Sequence, residues 1–158
     1  MLKFCVEQWD KNKDKLKKDI EDNLKSYNEF SYTNLVEKVV DLILNDEDSD
    51  YETTFDSEEI TVIDDGDYQG TILYIIPRKT YQPSECDYLM TYVGYGSCSG
   101  CDTLQSIRMW YYDEEPSAEE KNRFVKDMMR LCKDIVQNII KPYNFGWRND
   151  SRFDVVEA

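Results

Sequence analysis

Eleven carboxylates stand between residues 46 and 67 with no lysine or arginine among them: Asp46, Glu47, Asp48, Asp50, Glu52, Asp56, Glu58, Glu59, Asp64, Asp65 and Asp67. Burying an unpaired carboxylate is too costly for such a run to enter a core. The chain must carry it on the surface and build its interior from the segments on either side. Residues 1–27 hold seven lysines and six acids, so the run supplies most of the formal net charge of -14. Concentrated negative charge repels nucleic acid, whose affinity for proteins rests on lysine and arginine meeting phosphates. It attracts basic surfaces and divalent cations. The run reads either as a solvated acidic loop that aids solubility or as a docking surface for a basic partner, and a chain needing only solubility can spread its charge.

The flanking segments are patterned for a mixed fold. Leu2, Val6, Trp9, Leu16, Ile20, Leu24 and Tyr27 recur at helical spacing and predict a helix over residues 2–26, with Lys11, Lys15 and Lys18 on another face and Lys13 interrupting the stripe. A second helix is expected over 33–45, capped by Thr33 or Asn34, with Glu37 completing a capping box. Strands are expected at 60–63, 71–76 and 88–93, with Asp64-Asp65-Gly66-Asp67 as a turn, and a fourth at 106–112. The last helix starts at Ser117, its cap, with Glu120 at the third position, and ends before Pro142. Its apolar stripe runs from Phe124 to Ile140 and treats Met128 and Met129 as core. Phe145, Trp147 and Phe153 mark a tail expected to pack back on the body. With 158 residues and 41% apolar content the chain is read as a single domain, 1–158, of the α+β class: a small antiparallel sheet of three or four strands packed against three helices.

Composition excludes several chemistries. The chain has no histidine, so it has no Ser-His-Asp triad, no Cys-His dyad and no imidazole base or ligand. No apolar run is long enough to span a membrane, and the early charge at Lys3 and Glu7 predicts no secretory signal. A cytoplasmic protein with reduced cysteines is expected. Cys98 and Cys101 form a Cys-x-x-Cys pair in a glycine-rich loop, Gly94 to Asp102, directly after a strand. Zinc needs four ligands; Cys86 offers a third and an aspartate a fourth, but the second cysteine pair is missing. Thiol redox chemistry wants the pair at a helix start, which Asp102 to Gln105 permits, yet nearby acids oppose thiolate formation. A phosphate loop fails because Cys101-Asp102 follows Gly100 where Lys-Ser/Thr is required. A calcium loop opening at Asp46 fails because Tyr51 replaces the sixth-position glycine and Ser57 the final glutamate.

The segments Asp64-Asp65-Gly66-Asp67-Tyr68-Gln69-Gly70-Thr71 and Tyr95-Gly96-Ser97-Cys98-Ser99-Gly100-Cys101-Asp102-Thr103-Leu104-Gln105 resemble small acidic proteins of bacteriophages and prophages. The resemblance covers about a third of the chain, near residues 60–110. It implies a host-takeover or anti-defence role, including the anti-CRISPR kind, in which carboxylates occupy lysine and arginine sites that otherwise hold phosphates. The expected function is therefore non-enzymatic: an inhibitor of a basic, nucleic-acid-handling host protein, contacting it through the acidic run, with no cofactor, no direct nucleic-acid contact and no membrane. Two alternatives stand beside it. One is a metal-binding or thiol-redox role for the Cys98–Cys101 loop, and the other is small-ligand binding by the same glycine-rich loop.

Overall fold

In the computed structural model, residues 1–47, 54–110, 114–141 and 153–156 are described. The chain opens with a long helix, α1 (Lys3–Asp22), which breaks at Asn23 and resumes as α2 (Leu24–Glu29). The buried positions of α1 are Cys5, Trp9, Asn12, Leu16 and Ile20. The stripe is thus continuous after all. The gap left by Lys13 is filled by Asn12, whose amide donates to the carbonyl of Ile43 at 2.9 Å and to Asp46 Oδ1 at 3.1 Å. A buried amide is tolerated when its donors find acceptors, and these two do.

Helix α3 (Tyr32–Val39) is capped by Ser31, not by Thr33 or Asn34. Ser31 accepts from the Asn34 backbone and Asn34 returns the bond to the Ser31 N–H, so Asn34 plays the part assigned to Glu37. The helix then widens into a π turn, Val40–Leu44, that buries Val40, Ile43 and Leu44 against α1. Asn45 closes the segment that follows: its side chain donates to the carbonyl of Phe55 at 2.9 Å and accepts from the Phe55 N–H at 2.8 Å. Phe55 itself is buried. The two ends of the first acidic stretch are tied together in this way.

Three strands follow: β1 (Thr61–Asp64), β2 (Gly70–Pro77) and β3 (Tyr88–Tyr95), in spatial order β1-β2-β3 and antiparallel throughout. The expected fourth strand is not formed at 106–110, and residues 111–112 lie outside the described residues. Asp102 instead caps a short helix, α4 (Thr103–Ile107), by accepting from the Gln105 N–H at 2.8 Å. A side-chain cap at the right offset overrides the β-like composition beyond it. The last helix, α5 (Ala118–Gln137), starts as expected on a Ser117–Glu120 capping box, and Glu120 is held below its usual carboxylate range by the Ser117 N–H and hydroxyl.

Ile72, Tyr74 and Ile76 pair with Val93, Thr91 and Leu89 on one face of the sheet, and α3 and α5 cover that face. Thr91 is buried and satisfies its hydroxyl on the carbonyl of Ile135 at 2.7 Å. Helix α1 packs behind α5. Met128 is fully buried and Met129 half-buried. Of the tail, Phe153 stacks against Phe4 at 5.5 Å, and Phe145 and Trp147 lie outside the described residues. No helix is long and apolar enough to cross a membrane among the described residues.

Candidate partner surface and the glycine-cysteine loop

The eleven carboxylates do not form one uniform surface. Asp46 is tied into the body: Lys11 reaches it at 3.0 Å and Gln8 and Asn12 donate to it at 3.1 Å each. Burial works to raise its carboxyl, but the bonds from Lys11, Gln8 and Asn12 outweigh that and hold it below the ordinary value. Glu47 meets Lys15 at 3.5 Å. The basic face of α1 therefore neutralises the start of the run. Asp48, Asp50 and Glu52 lie outside the described residues. Asp56 accepts from the Glu58 N–H within its own turn at 3.0 Å. Asp64 caps the hairpin by accepting from the Gly66 N–H at 3.0 Å, and it receives the Tyr95 hydroxyl at 2.8 Å. Glu58, Glu59, Asp65 and Asp67 are exposed, and among the described residues no lysine or arginine pairs with them. These four flank β1, two before it and two after.

What they flank is apolar. Paired residues of neighbouring strands share a face, so the side of the sheet that no described helix covers carries the row Ile63, Leu73, Tyr92 and the row Ile75, Met90, Ile140. Ile63 is 47% exposed, Tyr92 44% and Ile140 49%. Every residue of β1 is exposed, and its outer edge has no paired strand among the described residues. Sequence reasoning missed this face. The signal was present in Ile72-Leu73-Tyr74-Ile75-Ile76, a run without the polar alternation that a half-solvated strand shows.

The glycine-cysteine loop leaves the sheet at the end of β3 and is organised by Asp102. This aspartate is buried, and its two oxygens accept from the Gly96 N–H at 3.0 Å, the Gln105 N–H at 2.8 Å and the Tyr32 hydroxyl at 3.2 Å. Tyr32 in turn accepts from the Leu104 N–H at 3.1 Å, joining the loop, α4 and α3. Burial, with Asp102 nearby, pushes the Tyr32 phenol up to about 12. Gly96 is required by space: a Cβ there would lie 2.5 Å from the Cys101 carbonyl oxygen. Cys98 and Cys101 are both exposed free thiols, with Sγ atoms 3.0 Å apart. Cys86 sits apart from them, on the turn Glu85–Asp87. No group of three or more Cys, Asp or Glu side chains gathers as a metal site among the described residues, so the Cys98, Cys101, Cys86 ligand set is not assembled.

The acidic hairpin and the loop meet at Tyr95. Its hydrogen bond to Asp64, with the charges of Asp64, Asp67 and Asp65, pushes the phenol up to about 12. Beside this contact lies an open cleft of about 320 Å³ walled by Tyr32, Tyr74, Tyr95, Asp64, Gln105 and Arg108. The two regions singled out in sequence are therefore neighbours, joined by one hydrogen bond across the sheet end. No protein-family model, curated protein or solved structure matches the chain.

Proposed function

We propose that the protein docks non-enzymatically on a basic, nucleic-acid-handling protein through the open face of its sheet, and that the acids bordering β1 take the sites where that partner holds phosphates. The single observation that carries this reading is the juxtaposition of an exposed apolar sheet face with four carboxylates that, among the described residues, no lysine or arginine neutralises. The apolar rows supply area to bury, and Glu58, Glu59, Asp65 and Asp67 supply sign and register. A second copy of the chain is a poor occupant, because its own acids would face these at a net charge of -14 per chain. A partner rich in lysine and arginine reverses that repulsion. Carboxylates accept the same forked arginine contacts as phosphates, so the partner's bound nucleic acid is the competitor. The resemblance to phage proteins implies that such inhibition serves host takeover or anti-defence.

The test is capture from host lysate with three immobilised proteins: wild type, the Glu58, Glu59, Asp65, Asp67→Lys variant, and Tyr92→Asp. The reading expects a nucleic-acid-binding protein held by wild type, lost from both variants, and displaced by added duplex or single-stranded nucleic acid. A captured protein held equally by all three, or indifferent to added nucleic acid, overturns it.

A further inference from the structure

We propose that Cys98 and Cys101 are a thiol–disulfide exchange pair in which Cys101 is the attacking thiol and Cys98 the resolving one. The two Sγ atoms are already 3.0 Å apart, and a disulfide bond is about 2.05 Å long, so closure needs side-chain movement of about 1 Å. The backbone holds them there. The Cys98 carbonyl accepts from the Cys101 N–H at 3.0 Å and the Asp102 N–H at 2.9 Å, making a tight turn that depends on neither sulfur. Both thiols are exposed, so a disulfide substrate can reach them.

The arrangement is asymmetric. The Cys98 N–H points at Cys101 Sγ at 3.3 Å, the Cys98 thiol lies at 3.0 Å, and the Ser97 hydroxyl stands farther off at 4.0 Å. The Cys98 N–H is thus a backbone donor aimed at the second sulfur, where a thiolate would be stabilised, while as a thiol Cys101 donates to the Cys98 carbonyl at 3.4 Å, a bond that ionisation gives up. Bonds from the Cys98 thiol and N–H bring the Cys101 thiol below its ordinary value. Both Asp102 oxygens accept from Gly96, Gln105 and Tyr32. Cys5 and Cys132 have no such setting. Cys5 and Cys132 are buried, and burial pushes both thiols up to about 12.

The co-reactant is a low-molecular-weight disulfide. Cys101 thiolate attacks one of its sulfurs, the substrate S–S bond breaks, and the first thiolate leaves and takes up the proton that Cys101 released. Cys98 then loses its proton and attacks Cys101 Sγ, displacing the second thiolate, which is protonated in turn. The protein's two thiols are oxidised to one disulfide and the substrate is reduced to two thiols.

Glutathione disulfide is the probe, with the full chain and peptide mapping by mass spectrometry. In the wild type, a single 98–101 disulfide forms while the buried Cys5 and Cys132 stay unmodified. Cys98→Ser, which keeps the backbone donor and a hydroxyl beside Cys101, accumulates one glutathione on Cys101. Cys101→Ser leaves Cys98 without those donors, so its glutathionylation is several-fold slower. Melting curves establish that both variants are folded. A wild type that keeps both thiols, or that stops at a mixed disulfide, overturns the exchange pair. Cys98 reacting as fast in its variant as Cys101 does overturns the assignment of the attacking thiol.

Discussion

Replacing Asp102 by alanine removes the acceptor shared by Gly96, Gln105 and Tyr32. Each is a hydrogen bond to a charged group, worth about 1.5–3 kcal/mol, and each donor left buried without a partner adds its own desolvation cost. The three do not add, because the loop beyond Gly96 is exposed and relaxes toward water. Tyr32 and the Gly96 backbone are buried and cannot. A loss of about 3–5 kcal/mol follows. For a chain of this length each kcal/mol moves the midpoint by about 2–4 °C, so Tm should fall by about 10 °C. Asp102→Asn keeps one acceptor oxygen but turns an NH2 toward a former donor, and should lie between alanine and wild type. Thermal unfolding followed by circular dichroism reads both variants. An alanine variant melting within about 2 °C of wild type would show that Asp102 does not organise the loop, α4 and α3 as described.

Ile135 is 1% exposed, so Ile135→Asp should lose about 3 kcal/mol or more in denaturant unfolding; an unchanged midpoint would take α5 out of the core. The Asp46 carboxyl is depressed in the folded protein, so its contribution is present above the ordinary aspartate value of 3.8 and is lost as pH falls through the lower folded value. Urea unfolding on either side of 3.8 should show a larger acid-dependent loss in wild type than in Asp46→Asn; identical pH profiles would mean that the Lys11 contact adds no stability.

Local signals in the sequence carried the ends and types of several elements. The Ser117–Glu120 box and the apolar stripe after it place the start and buried face of α5, but the helix ends at Gln137, and Ile140, expected at the end of its stripe, pairs with Met90 on the sheet instead. In α1 the stripe was read from apolar residues alone, so the buried Asn12 went unseen; its acceptors lie on Ile43 and Asp46, more than thirty positions away. The expected fourth strand fails at 106–110: Ile107, Met109 and Trp110 look β-forming, while Asp102 caps a helical turn over Thr103–Ile107. The acidic run was legible as a charge pattern, but its division was not. Lys11 and Lys15 meet Asp46 and Glu47 only once α1 lies beside the 40–44 turn, and Tyr95 meets Asp64 only through the β2–β3 register. Cys-x-x-Cys was visible as spacing; the donors that distinguish its two sulfurs come from the fold of the turn.

The most direct test of the docking surface is a titration of the purified partner at low and raised salt against wild type, the Glu58, Glu59, Asp65, Asp67→Lys variant and an Asp46, Glu47→Ala control. Exposed charges are screened over about 10 Å at about 0.1 M salt. Wild-type affinity should fall as salt rises. The lysine variant should bind weakly at both salts, mainly through slower association. The control should retain wild-type affinity, because Asp46 and Glu47 already answer to Lys11 and Lys15. Equal affinities for wild type and the lysine variant at both salts would contradict the account and leave the acids beside β1 as solvated surface.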